Sequence, residues 1–154
     1  MKNSLLNHLA IIMDGNGRWA NQKNKQRVFG HEKGAQTAKK IINDCVERGI
    51  PYLTLYTFSK ENWSRPAKEV DALMILLSKM LKNEIENMMR NNIRFNIVGR
   101  LEEIPEETRD WVLSTIEKTK NNTGLVLTLA LNYGGRQEIV DAFNSLMKSE
   151  VKII

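Results

Sequence analysis

The chain has 154 residues, of which 42% are hydrophobic and 27% charged, and its formal net charge is +5 at pH 7. This composition is typical of one globular domain and excludes an intrinsically disordered chain. No stretch approaches the ~20 apolar residues of a membrane-spanning helix, and no long apolar segment precedes Asp14, so the sequence predicts a soluble, cytoplasmic protein. The single cysteine, Cys45, excludes an internal disulfide and a cysteine-based zinc site. The positive charge favours an anionic partner, but it does not distinguish nucleic acid from phosphate esters or an acidic membrane.

The first half of the chain alternates strand and helix patterns. Leu9 to Met13 is continuously apolar, as in a strand covered on both faces, and Tyr52 to Phe58 predicts a second strand. Between them, Gly34 to Arg48 has the spacing of an amphipathic helix. A long helix is predicted from Lys68 to Asn91. Its apolar stripe consists of Val70, Leu73, Met74, Leu77, Leu81, Ile85 and Met88.

The second half continues the alternation. Ile93 to Val98 predicts a strand, Pro105 to Lys120 a helix, and Leu125 to Asn132 a fourth strand, after which a helical pattern begins at Gln137. Four strand-then-helix units predict a single α/β domain over residues 1–154, with a mostly parallel sheet and helices on both faces.

Unusual polar residues follow three of the four predicted strands. Ligand sites in open α/β sheets lie beyond the carboxyl ends of the strands, so these residues are expected to face one crevice. They are Asp14, Gly15, Asn16, Gly17 and Arg18 after the first strand, Ser59, Glu61, Asn62, Trp63 and Arg65 after the second, and Asn132, Tyr133, Gly134, Gly135 and Arg136 after the fourth.

The segment LAIIMDGNGRWA, residues 9–20, places an aspartate beside two glycines at a strand end. Glycine-rich turns hold phosphate with backbone N–H groups, and a carboxylate there repels that ligand unless a cation lies between them. Mg²⁺ held by Asp14 resolves the conflict. The alternative is that Asp14 caps the following helix. The segment also fits the dinucleotide fingerprint G-x-G-x-x-G/A, but the next strand follows too late and lacks the acidic end that would hold a ribose.

Further basic residues lie downstream of this turn. Arg27 and His31 could act with Arg18 to neutralise a diphosphate leaving group, because positive charge stabilises the negative charge that develops there. The alternatives are surface arginines and a structural histidine. The segment SKENWSRP, residues 59–66, mixes an aromatic ring, an amide, a carboxylate and an arginine, which is unusual for a simple connection. Its alternative is an ordinary loop before the long helix.

Five blocks resemble the cis-prenyltransferase family in their order and spacing. They are HLAIIMDGNGRWA, RVFGHEKGA, LTLYTFSKENWSRP, IRFNIVGRLEEIP and LTLALNYGGRQEIVDA. The resemblance implies the fold of that family and a Mg²⁺-dependent enzyme that condenses isopentenyl diphosphate, with cis double bonds, onto an allylic starter such as farnesyl diphosphate. The product would be a long polyprenyl diphosphate, the precursor of the lipid carrier for cell-wall polysaccharides. The resemblance also implies a homodimer, and association with the inner face of the membrane through the lipid product.

The resemblance assigns roles to matching positions. Asp14 would hold Mg²⁺ and assist catalysis, and Asn62 would position substrate or relay a proton, since an amide is a poor base. The residues implied at the allylic diphosphate are Gly15, Asn16, Gly17, Arg18, Trp19, Arg27 and His31. Those implied at the isopentenyl unit are Phe58, Ser59, Glu61, Trp63 and Arg65. The apolar stripe of the long helix, with Met89, would line a tunnel for the growing chain, and its alternative is ordinary core.

The match stops before the end of the family pattern. Members of the family carry a later block, R-x-S-G-E-x-R-x-S-N-F, that grips isopentenyl diphosphate, and this sequence has no match to it. We therefore expect a chain that is incomplete at its C-terminus, and that binds an allylic diphosphate without elongating it. A second hypothesis is a non-catalytic partner subunit, against which the intact MDGNGRWA counts. A third, a nucleic-acid-binding domain, is supported by charge alone, and we expect no nucleic-acid partner.

Overall fold

The computed structural model of the protein describes residues 6–148. It contains four strands and five α-helices within that range, joined in places by short 3-10 turns. In chain order they are β1 (His8–Ile12), α1 (Asn16–Gln22), α2 (Arg27–Arg48), β2 (Tyr52–Ser59), a 3-10 helix (Lys60–Ser64), α3 (Ala67–Arg90), β3 (Arg94–Val98), a 3-10 turn (Leu101–Glu103), α4 (Glu106–Thr119), β4 (Val126–Tyr133) and α5 (Gly135–Lys148).

The strands form one sheet in the order β1-β2-β4-β3, and every pairing within it is parallel. The predicted α/β fold with a parallel sheet is therefore confirmed. Parallel pairing brings the carboxyl ends of all four strands to the same edge of the sheet, as the sequence analysis expected. The pairing of β2 with β4 is irregular at Phe58, next to that edge.

The hydrophobic core lies where α2, α3 and α4 pack against the sheet. The central strands contribute Leu53, Leu55, Leu127 and Leu129, and the helices contribute residues such as Ala38, Cys45, Met74, Leu81, Met88 and Val112. The continuous apolar run of the first strand predicted cover on both faces, and that prediction is wrong. Exposure alternates along β1, because Leu9 and Ile11 pack against the core while the other face of the strand is open, where Ile12 is 76% exposed.

The region between β1 and β2 is more helical than the sequence predicted. The glycine-rich segment after β1 forms α1, and α2 begins at Arg27 rather than at Gly34. Two glycines within α2 lie against α1: a Cβ at Gly30 would lie 2.0 Å from the backbone oxygen of Asn16, and one at Gly34 would lie 2.6 Å from its Nδ2. These glycines allow the two helices to touch, so they do not mark a break in α2.

Helix α5 begins almost directly after β4 and has no buried residue. Its apolar residues Ile139, Val140, Phe143, Leu146 and Met147 are between 49% and 72% exposed. Arg100, which follows β3, holds the helix through an ion pair with Asp141. Val151 to Ile154, which follow the predicted helical pattern, lie outside the described residues. Between residues 6 and 148, no helix is both long enough and apolar enough to cross a bilayer.

Candidate functional site

A polar pocket of about 450 Å³ lies at the carboxyl edge of the sheet, where the ends of β1, β2 and β4 meet α1, α2 and α3. It is lined by many of the residues that the sequence singled out, although they are far apart in the chain. These are Asp14, Gly15, Asn16, Gly17, Arg18, Arg27, His31, Phe58, Ser59, Asn62 and Arg65. Three predicted substrate residues, Trp19, Glu61 and Trp63, do not line it.

Asp14 presents its carboxylate at the mouth of this pocket. Oδ1 accepts a hydrogen bond from the backbone N–H of Gly15 at 2.6 Å, and Oδ2 accepts one from Nη2 of Arg18 at 2.7 Å. The Gly15 N–H and the Arg18 charge hold the pKa of Asp14 below its usual value, so this carboxyl is ionised at neutral pH. Gly15 occupies the N-cap position of α1, in the left-handed conformation, so Asp14 is not the N-cap residue that the alternative reading required.

Glu69, in the first turn of α3, holds the basic residues of the pocket together. Its Oε2 accepts a hydrogen bond from Nε of Arg27 at 2.9 Å, and its Oε1 accepts bonds from Nε2 of His31 at 3.0 Å and Nη1 of Arg65 at 3.1 Å. Glu69 itself is only 8% exposed. The carboxylate therefore fixes side chains that arrive from α2 and from the loop after β2.

The ionised form of Glu69 is favoured in this setting. Burial raises the pKa of its carboxyl, but hydrogen bonds from His31 and Arg27, and the charges of Arg27 and Arg65, outweigh that effect and leave the pKa below its usual value. No motif in the sequence pointed to Glu69. The available signal was its position one helical turn before Leu73, which places a carboxylate in line with the apolar stripe of the long helix.

The loop after β2 is an ordered 3-10 turn. The Asn62 amide oxygen accepts a hydrogen bond from the Ser59 backbone N–H at 3.1 Å, and the Ser59 side chain accepts one from the Asn62 backbone in return. This reciprocal pair satisfies the backbone at the start of the turn, as a capping box does in a helix. Asn62 thus shapes the loop as well as facing the pocket.

Asn132 holds the same loop through a hydrogen bond to Trp63. Its Oδ1 accepts a hydrogen bond from Nε1 of Trp63 at 2.8 Å, while its Nδ2 donates to the backbone oxygen of Arg100 and to Oε2 of Glu103, each at 2.9 Å. Asn132 is 1% exposed and adopts a positive φ of 50°, a conformation that asparagine tolerates better than most residues. Trp63, which also packs edge-on against Phe58, therefore acts as a support of the loop.

An apolar cavity of about 140 Å³ opens beside the polar pocket, between α2, α3 and the sheet. Of the predicted tunnel residues, Leu73, Met74, Leu77, Leu81 and Met88 line it. Val70, Ile85 and Met89 do not, and Met89 is 47% exposed. The residues that line both the cavity and the polar pocket are Met13, Asn16, His31, Thr57, Phe58 and Leu73.

Metal binding can be judged from the donors that are present. Residues 6–148 contain no group of three or more histidine, cysteine or acidic side chains able to hold a metal ion by themselves. Asp14 does offer hard, ionised oxygens at the pocket mouth. Mg²⁺ is commonly bound by one or two carboxylates together with water and substrate phosphate oxygens, so a single exposed carboxylate fits that cation once a diphosphate is present.

Residues 12–153 match the family model described as putative undecaprenyl diphosphate synthase. The chain is 51% identical over 141 residues to an isoprenyl transferase of Clostridium perfringens, covering 92% of this chain and 56% of that protein. It is 50% identical to a ditrans,polycis-undecaprenyl-diphosphate synthase of Micrococcus luteus, named as specific for (2E,6E)-farnesyl diphosphate, and covers 54% of it.

The fold of the chain is also similar to that of a solved structure. The crystal structure of lavandulyl diphosphate synthase from Lavandula x intermedia, in complex with dimethylallyl diphosphate, superposes with a TM-score of 0.89 at 31% identity. The match covers 92% of this chain and 61% of that one. The chain thus spans a little over half the length of the curated relatives named here.

Proposed function

Because the chain belongs to the undecaprenyl diphosphate synthase family, we propose that it binds an allylic diphosphate such as farnesyl diphosphate and takes part in its Mg²⁺-dependent cis-condensation with isopentenyl diphosphate. The product would be a long polyprenyl diphosphate, from which the lipid carrier of cell-wall polysaccharide synthesis is made. A cytoplasmic location, a homodimer, and contact with the inner face of the membrane form part of the proposal.

One observation carries the proposal: the polar pocket and the apolar cavity share a wall. A ligand that fills both must have an anionic head and a long apolar tail. Arg18, Arg27 and Arg65 supply positive charge on the head side, and α3 supplies the apolar wall on the tail side. An allylic diphosphate has this shape and charge.

The protein side chains have distinct tasks in the proposed reaction. Ionisation of the allylic C–O bond leaves a diphosphate anion and a carbocation, so fixed positive charge at the head lowers the barrier. Arg27 and Arg65, held in place by Glu69, and the N–H groups around Gly15 are the donors that would meet the leaving diphosphate. Phe58 and Leu73, which border both spaces, exclude water from the carbon that becomes cationic. Asn62, which also lines the polar pocket, would position the incoming isopentenyl unit.

Asp14 is the residue that would hold Mg²⁺. When bound, Mg²⁺ supplies charge neutralisation of the diphosphate and thereby improves it as a leaving group. The backbone N–H of Gly15 and the charge of Arg18, which donates a hydrogen bond of 2.7 Å to Oδ2 of Asp14, both lower the pKa of this carboxyl.

Calorimetric titration of the full chain with farnesyl diphosphate, farnesol and inorganic diphosphate tests this proposal. We expect farnesyl diphosphate to bind most tightly, because it alone occupies both spaces, and Mg²⁺ to strengthen its binding. Incorporation of labelled isopentenyl diphosphate is measured in parallel with the Asp14→Ala variant. Farnesyl diphosphate binding no tighter than that of inorganic diphosphate contradicts the proposal.

A narrower function is a second candidate: binding of the allylic diphosphate without elongation. It needs only the polar pocket and the apolar cavity, both of which the described residues form. Binding of farnesyl diphosphate without incorporation of isopentenyl diphosphate distinguishes this candidate from the full reaction.

A further inference from the structure

Two of the sequence blocks contain polar residues to which the proposed function gives no task. They are residues 93–105, IRFNIVGRLEEIP, and residues 127–142, LTLALNYGGRQEIVDA. In the structure they meet where β3 and β4 end and α5 begins, beside the loop after β2 that carries Asn62. Four of their side chains contact one another there: Arg100, Glu103, Asn132 and Asp141. We call these four residues the Arg100 cluster.

Arg100 joins α5 to the turn after β3. Its Nε donates a hydrogen bond to Oδ2 of Asp141 at 2.9 Å, and its Nη2 donates to the other oxygen of the same carboxylate, so the pair is bidentate. Its Nη1 donates to Oε1 of Glu103 at 2.9 Å. One guanidinium group therefore binds carboxylates from two separate elements. Because α5 has no buried residue, this ion pair contributes more to its position than it would in a helix with a buried face.

Glu103 and Asn132 extend these contacts to the loop after β2. Oε2 of Glu103 accepts a hydrogen bond from Nδ2 of Asn132 at 2.9 Å, and Oδ1 of Asn132 accepts one from Nε1 of Trp63 at 2.8 Å. Trp63 belongs to the same 3-10 helix as Asn62. Nζ of Lys60, in the same turn, lies 3.8 Å from Oε1 of Glu103. A continuous series of contacts thus joins α5 to the loop: Asp141–Arg100, Arg100–Glu103, Glu103–Asn132 and Asn132–Trp63.

The charges of the cluster favour a fixed arrangement. Hydrogen bonds from Asn132 and Arg100 hold the pKa of Glu103 below its usual value. A hydrogen bond from Arg100 does the same for the pKa of Asp141, so both carboxylates are ionised at neutral pH. Isolated surface ion pairs contribute little, but bidentate pairs and networks of several charges are the exception. This network ends on Asn132, which is 1% exposed, so its inner end is closely packed.

We propose that Arg100 is a positioning residue: it uses the ion pair with Asp141 on α5 to fix the loop after β2, and with it Asn62. The position of α5 then sets how Asn62 faces the polar pocket. The inference deepens the proposed function, and it rests on that function only for the task of Asn62 toward the isopentenyl unit.

The indole N–H of Trp63 reports the state of the loop, because it donates the last hydrogen bond of the series. Its exchange with water is measured by nuclear magnetic resonance in the full chain without substrate. The sequence contains three tryptophans, so their indole signals are assigned by replacing each residue in turn with phenylalanine. Trp19 and Trp111 serve as internal controls in every spectrum.

Two variants break the outer end of the series. Asp141→Asn removes the charge that Arg100 binds. Arg100→Lys keeps the positive charge, but a single ammonium group cannot replace the bidentate pair together with the bond to Glu103. The matched control is Glu117→Gln, which removes the acidic partner from an exposed ion pair with Lys120 at the end of α4. Thermal unfolding verifies that each variant folds.

We expect the indole proton of Trp63 to exchange about tenfold faster in Asp141→Asn and in Arg100→Lys, while Trp19 and Trp111 change little. Asp141→Glu keeps the carboxylate and should restore most of the protection. Unchanged exchange at Trp63 in Asp141→Asn overturns the proposal. Equal acceleration of all three indoles also overturns it, because that result reports a general loosening of the fold.

The proposal and the proposed function can fail separately. Indole exchange is measured without substrate and decides whether α5 positions the loop, whereas titration with farnesyl diphosphate decides the proposed function. A change at Trp63 in a chain that binds no allylic diphosphate would keep Arg100 as a positioning residue of the loop and remove the proposed function alone.

Discussion

Oε2 of Glu69 accepts a hydrogen bond from Nε of Arg27 at 2.9 Å, joining α3 to α2 across the mouth of the polar pocket. With this contact, the buried carboxylate of Glu69 fixes the position of a basic side chain of the pocket. The arginine is held by a partner that does not itself have to touch the ligand.

Replacing Glu69 tests this arrangement. In Glu69→Gln the neutral amide no longer attracts the Arg27 and Arg65 guanidinium groups, so the donors of the pocket lose their fixed positions. We expect the affinity for farnesyl diphosphate to fall about tenfold, and the free energy of unfolding to fall by about 2 kcal/mol, because hydrogen bonds to charged groups are worth roughly that much. Calorimetry and chemical denaturation measure the two effects. Glu86→Gln, at an exposed position of the same helix, is the control and should change neither.

The stability of the protein should depend on the ionisation of Glu69. Its pKa in the folded protein lies below the usual value of 4.5, so its ionised form adds stability above that value. That stability is lost as the pH falls below 4.5 and through the pKa of the folded protein. Unfolding curves of the wild type and Glu69→Gln from neutral to acid pH should therefore converge at low pH. A constant difference between them would contradict the assignment.

The close contact between α1 and α2 should not tolerate a methyl group at Gly30. A Cβ there would lie 2.0 Å from the backbone oxygen of Asn16, which cannot move without displacing α1. We expect Gly30→Ala to lower the free energy of unfolding by about 3 kcal/mol, as overpacking does, and to abolish diphosphate binding with it. The control is Gly135→Ala, whose Cβ would be 3.8 Å from its nearest neighbour. Equal melting temperatures for the two variants would rule out this packing.

The bond between Trp63 and Asn132 should contribute measurably to the loop after β2. Trp63→Phe keeps an aromatic ring against Phe58 but leaves Oδ1 of the buried Asn132 without its donor, at a cost of about 1–3 kcal/mol. A double-mutant cycle with Asn132→Ala isolates the contact. We expect a coupling energy of about 1 kcal/mol, typical of residues in direct contact. Additive effects in the cycle would mean that the hydrogen bond carries no stability.

The apolar cavity should control the binding of the tail and leave the binding of the head unchanged. Leu77→Trp places a larger ring in the cavity wall, so the affinity for farnesyl diphosphate should fall about tenfold while that for inorganic diphosphate stays constant. Ile75→Trp, at a 67% exposed position of α3, is the matched control. Calorimetric titration measures both ligands. A parallel loss of both affinities would place the tail elsewhere.

Sequence patterns predicted the order of strands and helices well, because apolar periodicity is set by neighbours in the chain. They missed contacts that join distant segments. In the sequence, Glu69 is an acidic residue next to the apolar stripe of the long helix. Its role in fixing the basic side chains follows only from the hydrogen bonds that Arg27 and His31 donate to it in the structure. Asn132 could be placed at a strand end, but its support of Trp63 could not be predicted, because the sequence does not give the path of the loop.

The start of α2 was predicted too late in the chain. The spacing of apolar residues predicted a helix from Gly34 to Arg48, whereas α2 begins at Arg27. In the structure, tertiary contact outweighs local propensity, because Gly30 and Gly34 accept Asn16 at distances that a side chain would forbid.

The position of β4 between β2 and β3 sets an order of events during synthesis. Among residues 6–148, β3 joins the sheet through β4, which follows the other three strands in the chain. Until Tyr133 has emerged, α3 and β3 cannot complete their packing, and the apolar surface of β2 stays open to chaperones or to other nascent chains. Packing of β3 onto the sheet therefore waits for the synthesis of β4.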